Sequence, residues 1–182
     1  MRIITGIYKG RPLTTVKDNS IRPATDRVKG SIFNMLQNRL DLNGALVLDL
    51  FAGSGSLGFE ALSRGAERVT FVDDQKGALD SLESNAESLG CTDQCDIIRE
   101  DALTFLRRGA GHYDLIFADP PYAWEGIASL PAEIITRGLL RKSGLLIIEH
   151  SKQAAFAPSG AFEPPLCREF GNTRVSFFTQ PA

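Results

Sequence analysis

Asp119-Pro120-Pro121-Tyr122 is the segment of this chain best equipped for chemistry. Its two prolines stiffen a turn and remove two N–H donors. What remains is rich in acceptors: the Asp119 carboxylate and the Pro120 carbonyl. Two neighbouring acceptors suit an exocyclic NH2 on a planar base, because each takes one N–H and together they orient the nitrogen. Tyr122 adds a flat face for stacking. Catalysis of this kind is mostly positioning and electrostatics. Two nearby residues are open in role. Trp124 either walls the base pocket or packs at the start of a helix, and His150 is a candidate base near neutral pH.

A second motif supplies a place for a cofactor. Gly53-x-Gly55-x-x-Gly58 follows an apolar run, Val47-Leu48-Asp49-Leu50-Phe51, and precedes a helical pattern. Glycines there let the backbone turn sharply and approach a ligand, and the helix start offers free N–H groups. Asp73 follows Gly53 by twenty residues, the spacing at which a carboxylate holds ribose hydroxyls. Asp101 ends the third strand pattern, placed either to accept from an adenine amine beside the Ala102 N–H or to cap the next helix. Nicotinamide dinucleotide and S-adenosylmethionine both fit this arrangement. Asp49 favours S-adenosylmethionine, because a carboxylate can help to hold a methionine ammonium but would repel a pyrophosphate; it can also serve the loop's own N–H groups.

These residues need a frame that brings strand ends together. Apolar strands near 45–50, 69–72, 96–99, 114–118 and 144–150 alternate with amphipathic helices, which predicts a parallel sheet covered on both faces. Ligands of such sheets bind outside the carboxyl ends of the strands, where all of the motifs above fall. Residues 151–165 carry Pro158, Gly160, Pro164 and Pro165 and leave little room for a crossover helix. Gly171-Asn172 then predicts an antiparallel hairpin at the end of the sheet. The first sixteen residues read as a small β-hairpin, Arg2–Thr5 with Leu13–Val16, followed by a helix from Ala24-Thr25-Asp26 to about Leu40. The division expected is an N-terminal extension, 1–42, and a catalytic unit, 43–182.

The 182 residues carry a formal net charge of −2, but the charge is uneven. Residues 1–40 net +6 and the remainder −8. A basic head on an acidic body points to an anionic partner such as nucleic acid. No apolar run is long enough to span a bilayer. The start, MRIITGIYKGRPL, has no apolar signal core, so a cytoplasmic location is expected. Cys91, Cys95 and Cys167 lack metal-site spacing with the two histidines, so no metal and three reduced thiols are expected.

Together these segments resemble one family. Asp119–Tyr122 downstream of the Gly53-x-Gly55 turn resembles the amino-methyltransferase signature. The RsmD-type methyltransferases, which modify guanine N2 in 16S ribosomal RNA, are similar in several further stretches. These are Met1–Gly6 with Lys9-Gly10-Arg11, Arg22–Lys29, Phe33-Asn34, Leu48–Ala66 and Gly171-x-Thr173. Ala24 and Gly30 depart from the family's usual pattern. The resemblance implies a Rossmann-like class I methyltransferase fold, α/β, with a doubly wound seven-stranded sheet. It implies that Asp49, Phe51, Gly53, Gly55, Asp73, Asp101 and Ala102 line an S-adenosylmethionine site and that Asp119, Pro120 and Tyr122 hold guanine. Lys9, Arg11, Arg22, Thr25 and Arg27 would meet RNA. The implied partner is a partly assembled small ribosomal subunit, acted on by a monomer without metal or membrane. Rival readings are methyl transfer to another planar amine, such as adenine N6 in DNA, and nicotinamide-dependent oxidoreduction.

Overall fold

A computed structural model describes residues 1–15, 26–109 and 111–181. Seven strands form one sheet in the order β3-β2-β1-β4-β5-β7-β6. They are β1 (Leu46–Leu50), β2 (Arg68–Asp73), β3 (Cys95–Arg99), β4 (Tyr113–Ala118), β5 (Leu140–Ser151), β6 (Leu166–Phe170) and β7 (Thr173–Phe178). The first five run parallel, and β7 pairs antiparallel with both β5 and β6. The helices are α1 (Asp26–Leu36), α2 (Ser56–Ser63), α3 (Lys76–Leu89), α4 (Ala102–Arg108) and α5 (Leu130–Thr136). The expected fold class is therefore the observed one. Its strand order reverses between β1 and β4, which opens a crevice at the carboxyl ends of those two strands.

The central strands are apolar on both faces because both are covered. Val47, Phe71, Leu115, Phe117, Ile147 and Val175 pack with α1, α2 and α3 on one face. Leu48, Leu50, Val72, Ile116, Leu146 and Ile148 pack with α4 and α5 on the other. Strand alternation thus assigns Asp49, Asp119 and Glu149 by residue parity to the α1/α2 face. On the opposite face, the proline-rich stretch after β5 takes the place of a helix. Phe156 and Phe162 meet Phe178 edge-on, with ring centroids 4.9 and 5.1 Å apart.

The N-terminal hairpin differs from expectation. Among residues 1–15 its pairing reduces to one antiparallel bridge, Arg2 with Pro12; Val16 lies outside the described residues. The reason is competition for backbone donors. Ile4 N–H and Thr5 N–H donate to the Glu60 carboxylate at 2.7 and 3.0 Å. Tyr8 N–H goes to Ser63 Oγ and Thr14 N–H to Asn85 Oδ1. The segment is thus bonded to α2 and α3 as well as to itself. It also shares their core, through Ile3, Leu13, Val28, Ile32, Phe33 and Leu36. Helix α1 ends at Leu36, four residues short of the expected limit, and Arg39 caps it by donating to Met35 O.

Glu60 is fully buried, and so is its partner Lys29, whose Nζ lies 3.8 Å from Glu60 Oε2. Lys29 Nζ also donates to Arg2 O and Ser56 Oγ, and Arg64 Nε donates to Glu60 Oε1 at 2.9 Å. Burial lowers the Lys29 pKa while the Glu60 charge opposes that shift. Removing one member of such a network leaves uncompensated charge in the core. Glu60→Ala is expected to cost about 3–5 kcal/mol in urea unfolding, with fast amide exchange at Ile4 and Thr5. A loss below about 1 kcal/mol would contradict this account.

Candidate active site

The turn after β1 is held by carboxylates. Asp73 Oδ2 accepts from Gly53 N–H at 2.9 Å, and Asp73 Oδ1 accepts from Gln75 N–H at 3.0 Å. Asp49 Oδ2 accepts from Gly58 N–H at 3.0 Å, in the first turn of α2. The two glycines that begin the motif act differently. Gly55, at φ +76°, has no room for a side chain: a Cβ would lie 2.6 Å from both Leu82 and Phe59. Gly53, at φ +55°, faces open space, where a ligand can approach the backbone. Phe51 is the only non-glycine residue with positive φ among those described, at +57°. Its ring meets Trp124 edge-on at 5.0 Å. A left-handed phenylalanine costs of order 1–3 kcal/mol, and it sits at the mouth of the crevice.

Asp101 caps α4. Its Oδ1 accepts from Thr104 N–H and Thr104 Oγ1, at 2.9 and 3.1 Å. Both bonds use one oxygen, which leaves Oδ2 for a ligand beside the buried Ala102. Across the crevice, Asp119 N–H reaches Leu50 O at 3.4 Å, joining the end of β4 to the end of β1. Pro120 is buried, whereas Tyr122 is 49% exposed. The Tyr122 hydroxyl is bonded to Thr173 Oγ1 at the start of β7. The ring is thus tethered at its tip with a free face.

Three acids gather at the site. Burial raises the Asp119 pKa well above the usual carboxylate range, and Glu149 and Asp49 add to the shift. Burial pushes Glu149 up to about 7. Burial likewise raises Asp49 to about 8, against the opposing Gly58 hydrogen bond. Lys29 is buried under the same face, but its ammonium is taken up by Arg2 O, Ser56 and Glu60. The raised values mark acids whose ionised form is uncompensated here, and a ligand that brings donors and positive charge would favour that form.

Other candidates have structural partners. His150 is buried; its Nδ1 donates to Ser151 O and its Nε2 accepts from Ser176 Oγ, both at 2.8 Å. Burial lowers its pKa, and with both nitrogens engaged it has no position left as a base. Trp124 joins Pro120, Tyr122 and Ile127 around a narrow cleft, so it is both a packing residue and part of the wall. Arg27 is exposed in the first turn of α1, at the catalytic end. Lys9 and Arg11 lie elsewhere. The Arg11 guanidinium donates to Ser88 O, near the last residue of α3. That helix begins beside Asp73, so this contact is about 20 Å from the crevice. Arg22 and Thr25 lie outside the described residues. A hollow of about 890 Å³ is also remote, lined by Gly6, Ile7, Arg39, Leu42, Ser63 and Arg64. Among the described residues no cluster of metal-ligating side chains occurs, and no helix is long and apolar enough to cross a membrane.

Sequence reasoning singles out neither the Lys29–Glu60 pair nor the isolation of Glu149. Their signal is charge placed at apolar positions of a helix or strand, visible only once each face is assigned.

The raised Asp49 pKa links stability to pH. The folded carboxyl titrates near 8 and the unfolded one near 3.8. Between those values the unfolded chain sheds a proton that the folded chain keeps, so stability falls as pH rises. Asp49→Asn keeps an acceptor for Gly58 and removes the titration. Denaturant midpoints of the ligand-free protein should fall between pH 5 and 8, and fall less in the variant. Equal slopes would refute this.

Comparison with known proteins agrees with this fold. The profile of the family described as conserved hypothetical protein 95 matches residues 1–179. "Putative rRNA methyltransferase YlbH" of Bacillus subtilis is 42% identical over 156 residues, 84% of each chain. "Ribosomal RNA small subunit methyltransferase D" of Haemophilus influenzae is 36% identical over 155 residues, 84% of this chain and 79% of that protein. Among solved structures, "Putative methyltransferase yhhF" from Escherichia coli superposes with a TM-score of 0.87 at 27% identity, covering 100% of this chain and 98% of that one.

Proposed function

The chain belongs to the conserved hypothetical protein 95 family, the RsmD-type methyltransferases, and from that premise we propose that it transfers a methyl group from S-adenosylmethionine to guanine N2 in small-subunit ribosomal RNA. The observation that carries this reading is the acceptor-rich end of β4 facing the glycine turn across the β1/β4 crevice.

The residues present fit that cofactor. Open space over Gly53, the Asp73 carboxylate beside it, the spare oxygen of Asp101 and the buried Asp49 all suit an adenosine with a cationic tail. Bound S-adenosylmethionine would supply an electrophilic methyl on a sulfonium. Phe51, Gly53 and Gly55 would shape its seat, Asp73 would hold the ribose, Asp101 and Ala102 would meet the adenine, and Asp49 would hold the ammonium. Asp119 and the Pro120 carbonyl accept the two N2 protons of guanine, which draws the nitrogen lone pair out of conjugation with the ring. Tyr122, steadied by Thr173, stacks on the base. No strong base is required, because the product nitrogen is acidic enough to lose its proton to Asp119 or water.

The target base must leave its stack to enter, which suits a loop of structured RNA. Arg27, with Arg22 and Thr25, belongs near the target nucleotide. Lys9 and Arg11, a helix-length away, belong on a remote stretch of RNA backbone. The working form is a cytoplasmic monomer on a partly assembled small subunit, without metal.

Incubation with methyl-labelled S-adenosylmethionine and undermodified small subunits should place label in N2-methylguanosine at one site. Label in another base, or none, would reject this function. Asp119→Ala should lower kcat by about 10²–10³-fold while the S-adenosylmethionine Kd stays within a few-fold. Weakened cofactor affinity with unchanged kcat would move Asp119 to the cofactor site. Replacing Lys9 and Arg11 with Ala should weaken RNA binding and reduce its salt slope by about 1 for each phosphate no longer neutralised. An unaltered slope would take the hairpin out of the interface.

A further inference from the structure

Glu149 has no assigned task, and among the described residues one of its carboxylate oxygens has no hydrogen-bond partner. It follows Ile148, which pairs with Ala118, so it stands opposite Asp119 at the ends of two adjacent strands. Alternation puts both on the face shared with Asp49. Glu149 is 8% exposed, and its Oε2 has no hydrogen-bond partner among the described residues. A buried acceptor without a donor is costly, and such groups in folded proteins call for an explanation. The neighbouring elements do not supply one. The facing residue of β7 is Val175, and Lys29 is engaged elsewhere. Among the described residues nothing donates to it, which leaves the position open to a donor on a ligand.

Two carboxylates side by side select for a ligand edge with two adjacent donors. On their pairing edges, adenine and cytosine each present an amine beside a ring acceptor, and uracil presents one N–H between two carbonyls. Guanine alone presents an amine next to a ring N–H. We propose that Glu149 accepts the N1–H of the target guanine while Asp119 accepts from its N2 amine, so that Glu149 sets the choice of base. This inference rests on the guanine reading above and assigns its specificity to a residue outside the Asp119–Tyr122 motif. Burial raises the Glu149 pKa only to about 7, so the ionised acceptor is within reach at neutral pH.

The test uses 2-aminopurine, which keeps the 2-amine but carries a lone pair at N1. Small-subunit RNA is ligated with either guanine or 2-aminopurine at the position the wild-type enzyme labels. The wild type should prefer guanine by about 10²-fold or more, because an unpaired buried acceptor would face the N1 lone pair. Glu149→Gln can donate its amide N–H to that lone pair. It should lower kcat/KM on guanine by about 10–100-fold and narrow the guanine to 2-aminopurine ratio at least tenfold. Its S-adenosylmethionine Kd, measured by calorimetry without RNA, should stay within about threefold. Equal use of both bases by the wild type overturns the proposal without any variant. A ratio unchanged by Glu149→Gln overturns it too, as does a weakened cofactor Kd, which would place the carboxylate on the cofactor. If Glu149→Gln does not fold, the wild-type comparison decides. Absence of N2-methylguanosine from wild type on unmodified RNA would defeat the underlying function, whereas N2-methylguanosine with an unchanged ratio defeats the Glu149 role alone.

Discussion

The buried carboxylate of Glu60 ties together everything that roofs the catalytic end of the sheet. It receives the backbone of Ile4 and Thr5, faces Lys29 from α1 and binds Arg64 from its own helix. Those bonds join others from the same stretch to Ser63, and together they set its register on α2. Lys29 in turn bonds Ser56, at the first residue of α2 and so beside the glycine turn. One charge network thus sets the position of α1, the N-terminal stretch and the cofactor-facing helix start. Buried ion pairs of this kind are seldom the most effective way to stabilise a core, so its value here lies in fixing a unique arrangement.

The same face carries the opposite electrostatic condition at its upper edge. Asp49, Asp119 and Glu149 gather with raised pKa values, and the nearest ammonium is already consumed by the Glu60 network. Pro120 and Pro121 add no N–H groups. Among the described residues no side-chain cation pairs with these three acids, and a ligand can supply the positive charge and the donors. A cation and a donor-rich base are then favoured together, each lowering the cost of the acids for the other.

Much of this is legible in the sequence because it depends on local pattern. Period-two and unbroken apolar runs mark the strands, and Gly53, Gly55, Asp73 and Asp119 fall at strand ends because loops carry the chemistry. The failures share a cause. The hairpin of residues 1–15 reduces to one bridge because its donors go to Glu60, Ser63 and Asn85, far away in sequence. Arg11 reads as a cation for RNA, and its bond to Ser88 O near the end of α3 is announced by no local pattern. His150 reads as a possible base, yet it is bonded at both nitrogens. Glu149 looks like the polar end of a strand; its isolation needs the register with β4 and β7. Side-chain partners distant in sequence leave no periodicity to read.

The attachment of the N-terminal stretch also dictates an order of events during synthesis. Ile4 finds its acceptor 56 residues later, Tyr8 55 residues later and Arg11 77 residues later. A chain made at roughly 5–20 residues per second therefore exposes its first fifteen residues for several seconds before α3 exists to receive them. Ile3 and Leu13 spend that interval unburied, and the first core layer closes only after β1, β2 and both of their helices have left the ribosome. Residues 1–15 wait for helices made later, while β4 to β7 have still to follow.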